Sequence, residues 1–140
     1  MSATLKTQRR TSATTPEGHR ARMGCGIDLV DLDRFQAAMK RSGDAFLNRI
    51  FTQAEQAYAR RHANALPRLA ARFAAKEAVI KALAQIDPRR RFDLKHIEIR
   101  NGVLGRPTVV LTGVPKRYPA VHISITHAER MAAACAVVMR

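Results

Sequence analysis

Apolar and polar residues follow two kinds of pattern along this chain, one typical of strands and one typical of helices. An apolar, β-branched run from Cys25 to Leu32 predicts a first strand. Asp33 is then suited to cap a helix, and the apolar spacing that follows predicts a helix to about Arg41. Residues 42–44 break this helix, and a short helix is expected around residues 45–50.

Two further helices are predicted in the middle of the chain. Thr52 and Glu55 form a capping-box pattern, which predicts that a helix begins there. Residues 64–67 end it, and a long alanine-rich helix is expected from about Arg68 to Gln85.

The second half of the chain has the two-residue period of strands. Residues 96–100 and 108–111 flank a turn at residues 101–105, which predicts a hairpin. Val121 to His127 alternates strictly, and Ala132 to Met139 is its natural partner strand. Helices followed by hairpins predict an α+β fold, in which an antiparallel sheet packs with one long and several short helices.

Size and charge narrow the choice of function without deciding it. The chain has 140 residues, which fits one domain, and we expect residues 23–140 to form it. The 25 Lys and Arg side chains against 11 Asp and Glu give a net charge of +14. Such a charge attracts nucleic acids, anionic membranes, acidic proteins and polyphosphate ligands alike. No apolar run approaches the length of a membrane span.

Residues 1–22 are rich in Thr, Ser, Arg and Ala, and they lack the apolar core of a secretory signal. We expect a disordered basic tail and a cytoplasmic protein. The alternatives are a translation start at Met23 or a leader added to the protein. Cys25 and Cys135 lie in apolar, strand-like runs without metal-type spacing, so we expect two buried thiols in a reducing compartment.

The long helix carries charge on its apolar side. Lys76 falls inside the apolar stripe, Glu77 falls on its edge, and Lys81 lies one turn beyond Glu77. A cation in an apolar arc is costly unless it is paired or reaches water, so we interpret the adjacent carboxylate as functional. One carboxylate flanked by lysines is half of a metal–phosphate site. The alternative is an ordinary Glu77–Lys81 salt bridge on the helix surface.

Asp28 supplies a second candidate carboxylate. It interrupts the apolar first strand, where it needs a partner, water or a metal ion. The alternative is an aspartate at a strand edge that meets solvent. Asp28 and Glu77, with basic residues nearby, could form a Mg²⁺ site, because Mg²⁺ needs only one or two carboxylates besides water and phosphate oxygens. The nearby basic residues are Arg72, Lys76 and Lys81.

Two further polar sets are candidates for ligand contacts. His122, Ser124 and Thr126 share one face of their strand, which is either a solvated face or a wall that binds an anion. Arg34 and Arg41 project from the first helix, where they either aid solubility or dock an acidic partner helix.

Four motifs occur together in an order that resembles one enzyme family. They are Gly-Ile-Asp-Leu-Val at 26–30, Arg-Phe-Ala-Ala-Lys-Glu-Ala-Val-Ile-Lys at 72–81, Gly-Arg-Pro at 105–107 and His-Ile-Ser-Ile-Thr-His at 122–127. From Met23 to the C-terminus the chain is similar to the holo-(acyl-carrier-protein) synthases, the small-type 4′-phosphopantetheinyl transferases.

The resemblance implies a role for each candidate residue. It implies metal ligands at Asp28 and Glu77, which with Lys81 and His122 are the expected catalytic residues. It implies that Arg34, and less directly Arg41, binds the acidic helix of the carrier protein. The implied coenzyme contacts are Arg72, Lys76, Lys81, His122, Ser124 and Thr126.

The implied activity is Mg²⁺-dependent transfer of the 4′-phosphopantetheine arm of coenzyme A to a serine of an apo acyl carrier protein, with release of adenosine 3′,5′-bisphosphate. Such enzymes serve fatty acid biosynthesis and related pathways. The family is typically homotrimeric, and each active site combines the metal ligands of one subunit with the His-x-Ser strand of its neighbour. Neither a membrane nor a nucleic acid is an implied partner.

The chain departs from the family after the long helix. The family has a glycine-rich turn there, whereas this chain continues without a glycine into a loop that contains Arg89–Arg91, whose side chains could replace the backbone contacts to phosphate. This departure motivates one alternative, a homologue that binds carrier proteins without catalysis. A second alternative is a basic nucleic-acid-binding module that uses the tail and these arginines. Low aromatic content, 5%, and the lack of any Trp argue against it.

Overall fold

The computed structural model describes residues 22–140 and has the predicted α+β fold. The expected tail lies outside the described residues, apart from Arg22. The helices are α1 (Leu32–Ile50), α2 (Gln53–Arg60) and α3 (Leu66–Ile86). The strands are β1 (Met23–Asp31), β2 (Ile97–Asn101), β3 (Pro107–Leu111), β4 (Val121–His127) and β5 (Met131–Met139).

The strands form two antiparallel sheets. Both predicted pairings are confirmed, since β2 pairs with β3 and β4 pairs with β5. The third pairing joins the two ends of the domain, because β1 lies along β5 from Met23 opposite Met139 to Asp31 opposite Met131. The larger sheet therefore has the order β1-β5-β4, with β1 at one edge and β4 at the other.

Helix α3 packs against the inner face of this sheet at very short range. Its contact side is rich in buried alanines, and β1 has glycine where the two backbones approach. A Cβ atom at Gly24 would lie 2.1 Å from the carbonyl oxygen of Ala82, and one at Gly26 would lie 2.0 Å from that of Ala78. Only glycine fits such a contact, so Asp28 lies directly beside the middle of α3.

The start of α1 lies two residues before the predicted start. The cap is Asp31, whose Oδ1 accepts a hydrogen bond from the Arg34 amide at 2.9 Å, and not Asp33. Asp33 instead pairs with Arg130 in the turn between β4 and β5. The predicted short helix at 45–50 continues α1 beyond a kink at Gly43, where φ is 52°.

The middle helices follow the prediction closely. Thr52 and Glu55 form a complete capping box at the start of α2. Helix α3 begins at Leu66, slightly earlier than predicted, because Pro67 fits the first turn of a helix. In the described part of the chain, no helix has the length and apolarity needed to cross a membrane.

The prediction of two buried thiols is wrong, because Cys25 and Cys135 are both exposed. Both lie on the outer face of the larger sheet, the side turned away from α3. Alternate residues of β1 point to that face, and Ile27 and Leu29 are 70% and 60% exposed there. The apolar runs of β1 and β5 thus supply an uncovered face as well as the core.

Candidate functional site

Four of the predicted site residues meet in one pocket. The pocket has a volume of about 640 Å³ and lies between β1, α1 and α3. Asp28 and Glu77 line it together with Arg34 and Arg41. Its floor is a cluster of three aromatic rings, in which Phe35 lies 5.6 Å from Phe46 and 5.5 Å from Phe73 between ring centroids. The site therefore places two acids and two arginines around an apolar floor.

The two carboxylates influence each other. Burial raises the pKa of the Glu77 carboxyl, the negative charge of Asp28 raises it further, and the positive charge of Lys81 lowers it. The alternative interpretation, a surface salt bridge between Glu77 and Lys81, is not what the structure shows, because Lys81 pairs with Asp28 instead. The Lys81 Nζ lies 2.8 Å from Asp28 Oδ1, so Asp28 has a partner inside the protein.

This donor set fits a magnesium ion that keeps several of its waters. Two carboxylates at the mouth of a pocket supply the hard oxygen ligands that Mg²⁺ prefers, and a divalent cation would relieve their mutual repulsion. Among residues 22–140, no group of three or more His, Cys, Asp or Glu side chains is placed to hold a metal ion. Asp28 and Glu77 would therefore share the ion with water and ligand oxygens, not enclose it.

Lys76 lies in the core, where its side chain is enclosed by the protein. Its side chain is 0% exposed, and its Nζ contacts Glu55 Oε2 at 2.7 Å, the Ile50 carbonyl at 2.6 Å and the Leu94 carbonyl at 3.0 Å. These contacts occupy all three donors of the ammonium group. The pattern along α3 suggested Glu77 as the partner of Lys76, but the observed partner is Glu55 of α2. The expected phosphate contact of Lys76 stays a prediction that this placement does not favour.

Glu55 is a residue whose full role the sequence analysis missed. Besides closing the capping box, its Oε1 accepts a hydrogen bond from the Ile99 amide at 2.9 Å. The available signal was Lys76 itself, because a lysine on a buried helix face requires a carboxylate somewhere in the fold.

Arg72 lies on another side of α3, where this helix contacts α2 and β2. Its guanidinium lies 4.0 Å above the Tyr58 ring and donates to Asn101 Oδ1 at 2.9 Å. The side chain is buried, and its Nε has no hydrogen-bond partner among the described residues. A free buried donor is compatible with the expected anion contact, which stays a prediction.

The polar row on β4 faces away from the pocket. His122, Ser124 and Thr126 are exposed on the outer face, whereas the alternate apolar residues of β4 are half-buried towards α3. Strand β5 separates β4 from β1, which places the two strands about 10 Å apart. A single chain therefore does not bring His122 to the carboxylates of Asp28 and Glu77.

The loop after α3 contains the three arginines that stand in place of the expected glycine turn. Arg90 donates to the Gly113 carbonyl at 2.7 Å and lies 3.6 Å from Asp87, so this side chain is held within the fold. Arg89 and Arg91 are exposed. Arg89 and Arg91 are therefore more accessible than Arg90 to a ligand from solution.

Comparison with known proteins gives one consistent result. Residues 24–138 match the family model described as the 4′-phosphopantetheinyl transferase superfamily. A holo-[acyl-carrier-protein] synthase of Thermodesulfovibrio yellowstonii is 43% identical over 115 residues, which cover 82% of this chain and 96% of the relative. The corresponding synthase of Solibacter usitatus is 42% identical, with coverage of 75% and 88%.

Solved structures agree with these relatives. The crystal structure of a holo-(acyl-carrier-protein) synthase from Bacillus anthracis in complex with CoA (3′,5′-ADP) has a TM-score of 0.70 and 29% identity, covering 86% of this chain and 98% of its own. An ACPS–CoA complex from Chronobacterium ammoniagenes has a TM-score of 0.72 and 27% identity, with coverage of 83% and 96%.

Proposed function

This chain belongs to the 4′-phosphopantetheinyl transferase superfamily, and from that premise we propose that it transfers the 4′-phosphopantetheine arm of coenzyme A to a serine of an apo acyl carrier protein. The observation that carries the proposal is the pocket in which Asp28 and Glu77 lie beside Arg34 and Arg41. Its acids can hold a metal ion and its arginines can hold an acidic partner. The relatives that are named as synthases support the same activity.

The reaction exchanges one phosphorus–oxygen bond for another. The serine hydroxyl loses its proton to water and its oxygen forms a bond to the phosphorus next to pantetheine, while the bond from that phosphorus to the bridging oxygen breaks. Adenosine 3′,5′-bisphosphate leaves with the electron pair. Asp28 and Glu77 would hold Mg²⁺, which when bound neutralises charge on the pyrophosphate oxygens. The Lys81 ammonium, which lies 2.8 Å from Asp28, would donate to the same oxygens.

The rim of the pocket suits an acidic protein partner. Arg34 and Arg41 lie on α1 beside the two carboxylates, so a partner helix bound to them would bring its serine to the reacting phosphorus. The net charge of +14 would speed the encounter with both an acidic carrier and a polyanionic coenzyme.

A second copy of the chain would complete the site. His122 lies on the outer face of the sheet, so it is available to a neighbouring subunit and not to its own pocket. The same face exposes apolar side chains of β1 and β5, which argues that it is covered in the assembled protein. We therefore include a homotrimer with active sites between subunits in the proposal.

Mass spectrometry of an apo acyl carrier protein tests the activity directly. After incubation with coenzyme A and Mg²⁺, we expect the carrier to gain the mass of one phosphopantetheine arm. Asp28→Asn should abolish this gain because it removes a metal ligand. Asp33→Asn is the matched control and should keep it, because Asp33 pairs with Arg130 outside the pocket. If the carrier protein binds this chain but gains no mass, the result would support the non-catalytic homologue. If the chain binds nucleic acid and neither the carrier nor coenzyme A, the result would support the nucleic-acid-binding module.

A further inference from the structure

The free edge of β1 is held by side chains of α3. Strand β5 pairs with one side of β1, and on the other side Gln85 bonds both main-chain groups of Cys25. Gln85 Nε2 donates to the Cys25 carbonyl at 2.5 Å, and Gln85 Oε1 accepts from the Cys25 amide at 3.2 Å. One helical turn earlier, Lys81 Nζ donates to the Ile27 carbonyl at 2.9 Å.

Lys81 has a second contact that Gln85 lacks. The same Nζ lies 2.8 Å from Asp28 Oδ1, so one ammonium group both anchors the strand and neutralises the carboxylate. The Lys81 side chain is 50% exposed, whereas that of Asp28 is 19% exposed. The lysine can therefore turn towards solvent at little cost, while the carboxylate is fixed by its strand.

A divalent cation bound by Asp28 would compete with this ammonium group. Both positive groups require the same carboxylate oxygens, and two cations that share one carboxylate repel each other. Once released, Lys81 would stand beside Asp28 as a free positive charge. The bonds from Gln85 to Cys25 do not involve Asp28, so β1 would keep its place on α3 during the exchange.

We propose that Lys81 is the resident counter-ion of Asp28, that a divalent metal ion displaces it, and that Gln85 holds β1 in position while this happens. The proposal rests on the metal site of the proposed function. It assigns Lys81 two positions, one on Asp28 in the metal-free protein and one facing the phosphate groups of the ligand in the loaded protein.

Titration of the metal-free full chain with Mn²⁺ alone, followed by electron paramagnetic resonance, tests the exchange. Lys81→Met should bind Mn²⁺ about three- to fivefold more tightly than wild type, because the competing ion pair is gone. Lys40→Met removes an exposed charge from α1 without touching Asp28, and Gln85→Ala removes an anchor of β1 without removing a charge. Both controls should bind Mn²⁺ within about twofold of wild type.

The outcomes separate this proposal from the metal assignment beneath it. If Asp28→Asn binds Mn²⁺ as well as wild type does, the proposed metal site is wrong. If Asp28→Asn loses Mn²⁺ binding but Lys81→Met binds no more tightly than wild type, the metal site stands and only the exchange is wrong. The same conclusion follows if Lys81→Met, Lys40→Met and Gln85→Ala all change Mn²⁺ affinity by the same factor. Side-chain NMR of wild type adds a test without mutation, because saturation with Mg²⁺ should shift the Lys81 ammonium signal. An unchanged signal would also overturn the exchange.

Discussion

The buried pair of Lys76 and Glu55 joins all three helices to β2 and to the segment just before it. Lys76 of α3 binds the carbonyl of Ile50 at the end of α1 and that of Leu94 before β2. Glu55 of α2 binds the amide of Ile99 in β2. Burial lowers the pKa of Lys76, and the charge of Glu55 opposes this effect. The pair thus fixes α3, and with it Glu77, the next residue along the helix.

Replacing one member of this pair should cost far more than replacing both. Lys76→Met should lower the free energy of unfolding by about 3–5 kcal/mol, because it leaves the Glu55 carboxylate buried without a partner. Adding Glu55→Gln should recover part of that loss, which urea unfolding of the four proteins would measure. Strictly additive losses would show that the two side chains are not coupled. If Lys76→Met instead kept wild-type stability and weakened coenzyme A binding, Lys76 would be the phosphate contact that the family resemblance implies.

Helix α3 and strand β1 act together as the support of the site. Their backbones touch at Gly24 and Gly26, and side chains of α3 hold the free edge of β1 just beyond. Because Asp28 belongs to the strand and Glu77 to the helix, the distance between the two carboxylates depends on this contact. The glycines therefore matter to the chemistry although they carry no functional group.

A methyl group at Gly26 should disrupt this contact. Its Cβ would lie 2.0 Å from the Ala78 carbonyl oxygen, so the strand or the helix must move. We expect Gly26→Ala to lower the free energy of unfolding by about 3 kcal/mol or more. Gly113→Ala is the control, because a Cβ there meets nothing within 4 Å. Its positive φ should lower the free energy of unfolding by only about 1 kcal/mol. Equal stability of the two variants in urea would contradict the close packing.

The outer face of the three-stranded sheet is the surface through which we propose that the molecule assembles. It carries the polar row of β4 beside exposed apolar residues of β1 and β5, and it lies opposite the face that packs on α3. Asp28 and His122 thus belong to different sides of one sheet. If both serve the same reaction, they must come from different copies of the chain.

Mixed oligomers test this arrangement. Asp28→Ala and His122→Ala should each be inactive alone, but co-expression of the two should restore about a quarter of wild-type turnover, since one site in four then receives an intact residue from each subunit. Co-expression of Asp28→Ala with Glu77→Ala is the control. It should restore nothing, because both defects lie in the same half of the site. No recovery in the first mixture would mean that the site does not combine Asp28 and His122 from different subunits.

Local patterns were enough to predict much of this protein. The capping box at Thr52 and Glu55, the two-residue period of β4 and the motif around Glu77 each depend on near neighbours in the chain, and periodicity reports which residues share a face. For this reason the α+β class, the long helix and both hairpins were predicted correctly, whereas the family was predicted from the resemblance of four motifs in their order along the chain.

Periodicity does not show which part of the protein packs against each face of a helix or strand. Only the folded chain shows that Lys76 pairs with Glu55, that Lys81 pairs with Asp28, and that the apolar run containing Cys25 is half uncovered. These features depend on contacts between residues far apart along the chain, above all on β1 lying between β5 and α3. A buried lysine shows that it needs a partner, but the sequence around it does not identify a partner so far along the chain, so tertiary packing alone decided these pairs.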